Sequence, residues 1–125
     1  MTKTILVVED DHDIRENMAE FLLSEGYEVR TAANGKEALD LLNTTLAPSM
    51  ILLDLMMPVM DGFRFRQEQE KDPKIAHIPV VLMTATPQVE NTKTRLGAIA
   101  FIRKPIDIEE LSSLLQVFFD GSLVR

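Results

Sequence analysis

The stretch ILVVEDD, residues Ile5–Asp11, is a short run of mostly β-branched apolar side chains that ends in three acids. An unbroken apolar run of this length predicts a strand that is buried on both faces, as the strands of parallel sheets are. Two later runs have the same form, since Met50–Leu53 ends at Asp54 and Pro79–Met83 ends at Thr84. Each of these predicted strands therefore carries a polar side chain at its carboxyl end.

The rest of the chain alternates between helix and strand. Apolar residues three or four positions apart predict helices, and Gly, Pro, Asn and Asp mark the helix ends. The remaining predicted elements are helices at 13–25, 35–43, 62–71, 87–97 and 107–118, and strands at 27–32 and 100–103. This alternation demands a mainly parallel sheet with helices on both faces, which is a doubly wound, flavodoxin-like α/β domain of the (βα)5 type. We expect five parallel strands in the order 2-1-3-4-5.

Composition narrows the class of protein. The chain has 125 residues, 46% of them apolar, with 20 acids against 13 bases for a net charge of -7 and no cysteine. This length suits one domain that folds without disulfides or a structural metal. The absence of thiols excludes cysteine catalysis, the negative charge repels a nucleic-acid backbone, and no apolar run approaches the roughly 20 residues of a membrane span. We expect a cytoplasmic protein that does not bind DNA directly.

Polar residues follow the predicted strands at the edge where doubly wound sheets bind ligands. They are Glu9, Asp10, Asp54, Thr84 and Lys104. Three acids at one edge require a cation, and oxygen ligands without nearby His or Cys suit Mg²⁺. A carboxylate beside Mg²⁺ and a lysine ammonium is a plausible nucleophile toward phosphorus, because both cations neutralise the phosphoryl oxygens. The Thr84 hydroxyl can donate a hydrogen bond to the same group.

Each of these residues also has a plainer interpretation. Asp10 or Asp11 can cap the first helix, Asp54 can begin a turn before Pro58, and Lys104 can be a solvated surface lysine. The coincidence favours the chemical interpretation, because acids, hydroxyl and lysine follow different strands at one predicted edge.

The order and spacing of these residues resemble the receiver domain of two-component response regulators, the CheY-like family. Four segments carry the resemblance: residues 5–11 (ILVVEDD), 52–62 (LLDLMMPVMDG), 84–85 (TA), and 97–105, in which Gly97-Ala98 leads to Phe101 and Lys104-Pro105. The pattern covers about residues 4–119. Residues 1–125 are therefore expected to form a single receiver domain with a short tail at 120–125.

The resemblance implies a phosphorylation site that depends on Mg²⁺. Asp54 would accept a phosphoryl group from a histidine kinase or a phosphotransfer protein. Asp10 and Asp54 would bind Mg²⁺ directly, Glu9 would act mostly through water, and Met56 would offer its backbone carbonyl.

The resemblance also implies a switch. Thr84 and Lys104 would contact the phosphoryl oxygens, the bond before Pro105 would be cis, and the ring of Phe101 would change rotamer as Thr84 moves inward. The altered surface would lie on the predicted fourth helix, the fifth strand and the last helix, where a partner protein reads it.

The implied role is a signalling module and not an enzyme, apart from its own phosphorylation by a phosphodonor and slow dephosphorylation. Its output would pass to a downstream protein or to an output domain absent from this chain, which would be a monomer or a weak dimer away from any membrane. Two alternatives stay open. One is a docking module that works without phosphorylation, and the other is a phosphatase with Asp54 as a transient nucleophile, although Met56 stands where such phosphatases carry a second Asp.

The predicted third helix departs from the family pattern. Three polar residues stand where family members usually have leucines, which leaves Phe63 and Phe65 as the main apolar anchors. The polar residues are Arg66, Gln67 and Gln69. We expect this helix to pack loosely or to contact a partner.

Overall fold

Strands and helices alternate along the chain in the predicted order. The computed structural model describes residues 3–44, 47–85 and 96–120. The strands are β1 (Thr4–Val8), β2 (Glu28–Ala32), β3 (Met50–Asp54), β4 (Val80–Thr84) and β5 (Ala100–Arg103), and the helices are α1 (His12–Ser24), α2 (Gly35–Thr44), α3 (Gly62–Lys71) and α4 (Ile108–Asp120). The helix predicted between Pro87 and Gly97 lies almost wholly outside the described residues. Within the described part, no helix is both long and apolar enough to cross a membrane.

The strands form one parallel sheet in the order β2-β1-β3-β4-β5. The predicted doubly wound α/β fold and its strand order are therefore confirmed. The chain moves outward in one direction from β1 to β2 and in the other from β1 through β3 to β5. Strand order reverses between β1 and β3, so the switch point of the sheet lies where these two strands end.

The core has two halves, one on each face of the sheet. Alternate residues of β1 point to opposite sides, so that Leu6 and Val8 pack with α2 and α3 while Ile5 and Val7 pack with α1 and α4. β3 divides in the same way. All of these side chains are buried, as the unbroken apolar runs predict for parallel strands covered on both faces.

Side-chain caps fix where the helices begin. Asp11 accepts a hydrogen bond from the backbone N–H of Ile14 at 3.0 Å, and Asp61 accepts one from Arg64 at 2.9 Å. Asn34 and Asp107 accept from the third and second residues after them, in each case at 2.9 Å. The N-cap of α1 is therefore Asp11 and not Asp10, and Asp10 stands outside the helix at the end of β1.

The expectation of loose packing for α3 is wrong. Arg66 is 6% exposed and Gln69 is fully buried, and both make hydrogen bonds inside the protein. The Gln69 amide donates to the carbonyls of Ile75 and Ile78 at 2.8 and 3.1 Å. Polar side chains can replace leucines here because backbone carbonyls of neighbouring loops face this side of the helix.

Candidate functional site

The carboxyl ends of the strands bring the predicted residues to one edge. Glu9 directly follows β1, Asp54 and Thr84 are the last residues of β3 and β4, and Lys104 directly follows β5. The ladder continues one step beyond β5, since the Lys104 N–H donates to the Thr84 carbonyl at 3.0 Å. The register of the strands therefore brings these side chains to the same edge of the sheet.

Lys104 connects two of the acids. Its Nζ lies 2.7 Å from Glu9 Oε1 and 3.3 Å from Asp54 Oδ2. The lysine side chain is only 20% exposed, so the interpretation of Lys104 as a solvated surface residue is wrong. The peptide bond between Lys104 and Pro105 is cis, as the resemblance implied.

Three acids come together at this edge of the sheet. Carboxylate oxygens of Glu9, Asp10 and Asp54 all lie within 4.8 Å of one another. Glu9 is fully buried and Asp54 is 3% exposed, whereas Asp10 is open to solvent. Their oxygen-only donor set fits a hard divalent cation such as Mg²⁺, which accepts few protein ligands and keeps several waters.

The Lys104 ammonium balances the charge of the acids only in part. Burial, together with the negative charge of Glu9, raises the pKa of Asp54 from 3.8 to about 6, and Lys104 offsets only part of this. Burial disfavours the Lys104 ammonium too, but its contact with Glu9 and its attraction to Asp54 outweigh that effect and raise the pKa of Lys104. The lysine thus interacts mainly with Glu9, its nearer partner, and offsets the negative charge of Asp54 only in part.

The other predicted residues surround the acceptor. Thr84 is buried at the end of β4. The Met56 backbone N–H points to Asp54 Oδ1 at 3.4 Å, and its side chain is exposed. Phe101 is half-buried on β5 and packs against the half of the core that contains α2 and α3. Thr84 and Phe101 therefore lie on adjacent strands, as a switch between them requires.

Sequence reasoning missed two supports of the site. Arg15 Nη1 donates to the backbone carbonyl of Glu9 at 2.8 Å, with that of Asp10 at 3.4 Å, and so holds the acidic turn against α1. Gly62, the first residue of α3, lies so close to the Asp54 carbonyl that a Cβ there would stand 2.7 Å from it. A basic residue one turn into α1 and the Asp-Gly pair before α3 were the available signals.

Fold and site together define a class, a parallel α/β domain with an acid cluster and a lysine at its switch point. The family described as the response regulator receiver domain matches residues 5–116. The chain belongs to this family.

Two relatives are longer than this chain. Response regulator Rre1 of Synechocystis is 35% identical over 118 residues, which cover 90% of this chain and 50% of Rre1. Regulatory protein AtoC of Escherichia coli is 34% identical over 114 residues, which cover 90% of this chain and 24% of AtoC. The chain therefore spans half or less of these regulators.

Solved structures give matches of similar length. The chemotaxis response regulator CheY4 of Vibrio cholerae is 31% identical with a TM-score of 0.84, over 93% of this chain and 98% of that one. The signal receiver domain of a signal transduction histidine kinase from Syntrophus aciditrophicus is 32% identical with a TM-score of 0.84, over 96% and 92%. Similar domains thus occur in proteins of different organisation.

Proposed function

We propose that Asp54 accepts a phosphoryl group from a histidine kinase or a phosphotransfer protein in a reaction that depends on Mg²⁺. One observation carries the proposal: the buried Asp54 carboxylate lies 3.3 Å from the Lys104 ammonium and within 4.8 Å of the oxygens of two further acids. A nucleophilic carboxylate with cationic groups around it is the arrangement that phosphoryl transfer needs.

The residues divide the chemistry among them. An oxygen of Asp54 attacks phosphorus, a P–O bond forms, and the P–N bond to the donor imidazole breaks with the electron pair leaving on nitrogen. Asp10, Asp54 and Glu9 would hold Mg²⁺, and the Met56 carbonyl would join them. Bound Mg²⁺ would supply the charge neutralisation of the phosphoryl oxygens.

Lys104 and Thr84 would bind the phosphoryl group. Lys104 already contacts Asp54, so an acyl phosphate there would meet an ammonium without a rearrangement of β5. The Thr84 hydroxyl, at the adjacent strand end, would donate to another oxygen, and its inward movement would open space into which the Phe101 ring turns. The switch would thereby link the acceptor to β5.

The surface that we assign to the output includes an exposed apolar groove. It lies between the start of β5 and α4 and has a volume of about 480 Å³. Its apolar lining residues are Ile99, Ala100, Leu114, Val117 and Phe118. An apolar surface beside the switch strand fits a protein partner better than a small polar ligand, and this partner would be a downstream target or an output domain.

The organisation of the protein is part of the proposal. We infer a single receiver domain over residues 1–125 that acts as a signalling module in the cytoplasm, and this rests on the family alone. The phosphatase alternative gains no support from the site, because Met56 offers a side chain without a titratable group next to Asp54.

Mg²⁺-dependent labelling tests the proposal against a docking module that works without phosphorylation. Incorporation of phosphate from a small phosphodonor should require Mg²⁺ and should fall at least about tenfold in Asp10→Asn, because a direct metal ligand is lost. Asp13→Asn, an exposed acid of the first turn of α1, is the matched control and should label like the native chain. Equal labelling in chelator and in Mg²⁺ would contradict the metal-dependent reaction.

A further inference from the structure

A buried polar bridge joins α3 to the chain segment that leads into β5. Arg66 Nε donates to the Leu96 carbonyl at 2.9 Å, and its Nη1 donates to Gln69 Oε1 at 2.9 Å. Gln69 is itself anchored on the loop between α3 and β4 through the carbonyls of Ile75 and Ile78. Gln69 thus orients the Arg66 guanidinium, which in turn donates a hydrogen bond to the backbone at Leu96, 30 residues away in sequence.

The corner that Arg66 holds is a tight one. Leu96 is helical and Gly97 has a φ of +67°, a left-handed conformation that glycine adopts readily. A Cβ at Gly97 would lie 3.3 Å from Arg66 Nη2, so the chain turns directly against the guanidinium. Two residues later the Ile99 N–H joins the Val80 carbonyl at 2.9 Å, and β5 begins. The bridge therefore fixes the entrance to the strand that carries Phe101.

A charged side chain is a costly choice for this position. Among the residues that the structure describes, the one acidic partner of Arg66 is Glu70, whose Oε2 lies 3.4 Å from Nη2 and whose side chain is 55% exposed. Burial lowers the pKa of Arg66, with Glu70 acting against this. Apolar residues often serve stability as well as a buried ion pair does, so packing alone does not account for an arginine here.

The same helix touches the acceptor residue at its other end. The Gly62 N–H donates to the Leu55 carbonyl at 3.0 Å, and Gly62 packs on the Asp54 backbone. α3 is thus in contact with Asp54 at its first residue and with the Leu96 corner through Arg66.

We propose that Arg66, positioned by Gln69, is a latch that holds the Leu96–Gly97 corner against α3 and so opposes the movement of β5 that activation requires. This inference rests on the proposed function. A shift of β5 as the Phe101 ring turns would pull on the entrance of that strand, which a directional hydrogen bond ties to α3. A leucine at position 66 would fill space without tying that end, so the strength of the latch sets how readily the switch responds.

The test measures affinity for a phosphoryl mimic. The native chain and Arg66→Leu are titrated with beryllofluoride at saturating Mg²⁺, and the amide signals of Phe101 and Gly97 are followed by NMR. Loss of the latch should tighten apparent binding by about fivefold, the lower end of ordinary coupling between sites. Affinity for Mg²⁺ alone, measured from the amide NMR signal of Asp10, should stay unchanged. A general disturbance of the site would change the affinity for Mg²⁺ as well.

Two further variants make the test decisive. Arg64→Leu removes an exposed arginine from the same helix and should bind the mimic like the native chain. Arg66→Lys keeps the charge but can reach only one of Leu96 and Gln69, so it should show a smaller tightening and decides the matter if Arg66→Leu does not fold. Equal or weaker mimic binding in folded Arg66 variants overturns the latch alone, whereas failure of the native chain to bind the mimic overturns the proposed function with it.

Discussion

Replacement of Asp54 by Asn should stabilise the metal-free protein at neutral pH. The pKa of the Asp54 carboxyl is raised from 3.8 to about 6, chiefly by burial and then by the charge of Glu9. The folded protein therefore binds the proton more tightly than the unfolded chain does. Below pH 3.8 both states hold the proton and no penalty exists; above pH 6 the folded state bears the full cost of the ionised group.

The magnitude follows from this difference in pKa. A rise from 3.8 to about 6 corresponds to about 3 kcal/mol of lost stability once the group is ionised. Asp54→Asn never ionises, and Lys104 keeps Glu9 as its partner at 2.7 Å. The free energy of unfolding of the variant, relative to native, should thus increase by about 2–3 kcal/mol between about pH 4 and pH 7.5.

Urea unfolding followed by circular dichroism, in buffer with a chelator, measures this difference by linear extrapolation. Asp40→Asn, an exposed acid on α2, is the control and should stay within about 0.5 kcal/mol of native at every pH. A stability difference for Asp54→Asn that does not change with pH, or a variant less stable than native at neutral pH, would refute the electrostatic account of the site.

Three further predictions concern stability. Lys104→Met should lose about 2 kcal/mol at neutral pH because Glu9 and Asp54 lose their ammonium, and millimolar Mg²⁺ should restore part of it in the same urea assay. Val59→Asn should gain about 1 kcal/mol in free energy of unfolding, measured by thermal unfolding. Val59 has a φ of 68°, and the Met60 N–H donates to the Pro58 carbonyl at 2.7 Å to close a γ-turn, a strained geometry for a β-branched residue. No gain would show that the turn is unstrained. Asp11→Ala should lose about 1 kcal/mol with the α1 cap, and its mimic binding should match that of the native chain.

The strands and helix starts were predictable because their causes are local. A buried strand is marked by its own apolar run, as in β1, β3 and β4. A helix cap bonds to a backbone N–H only three residues further on, as Asp11 and Asp61 do. The edge of the sheet followed too, since parallel strands bring their carboxyl ends together. The order β2-β1-β3-β4-β5 is the one expected of a flavodoxin-like doubly wound sheet, and the structure confirms it.

The failures concern partners that are distant in sequence. The polarity of Arg66 and Gln69 predicted a loosely packed α3 or a partner contact, whereas these side chains bond to carbonyls of Leu96, Ile75 and Ile78 that only the fold brings to them. The plainer interpretation of Lys104 as a solvated residue, against which the sequence pattern already argued, is wrong for the same reason. A polar residue at a position that would otherwise be apolar is a signal of such a network, but its partners cannot be read from spacing.

The central claim, that Asp54 is the phosphoryl acceptor, is tested most directly by intact-mass spectrometry after incubation with Mg²⁺ and a small phosphodonor such as acetyl phosphate. The native chain and the Asp40→Asn control should each gain the mass of one phosphoryl group, and Asp54→Asn should gain none. Labelling of Asp54→Asn to the native extent, or no labelling of the native chain, would contradict the claim.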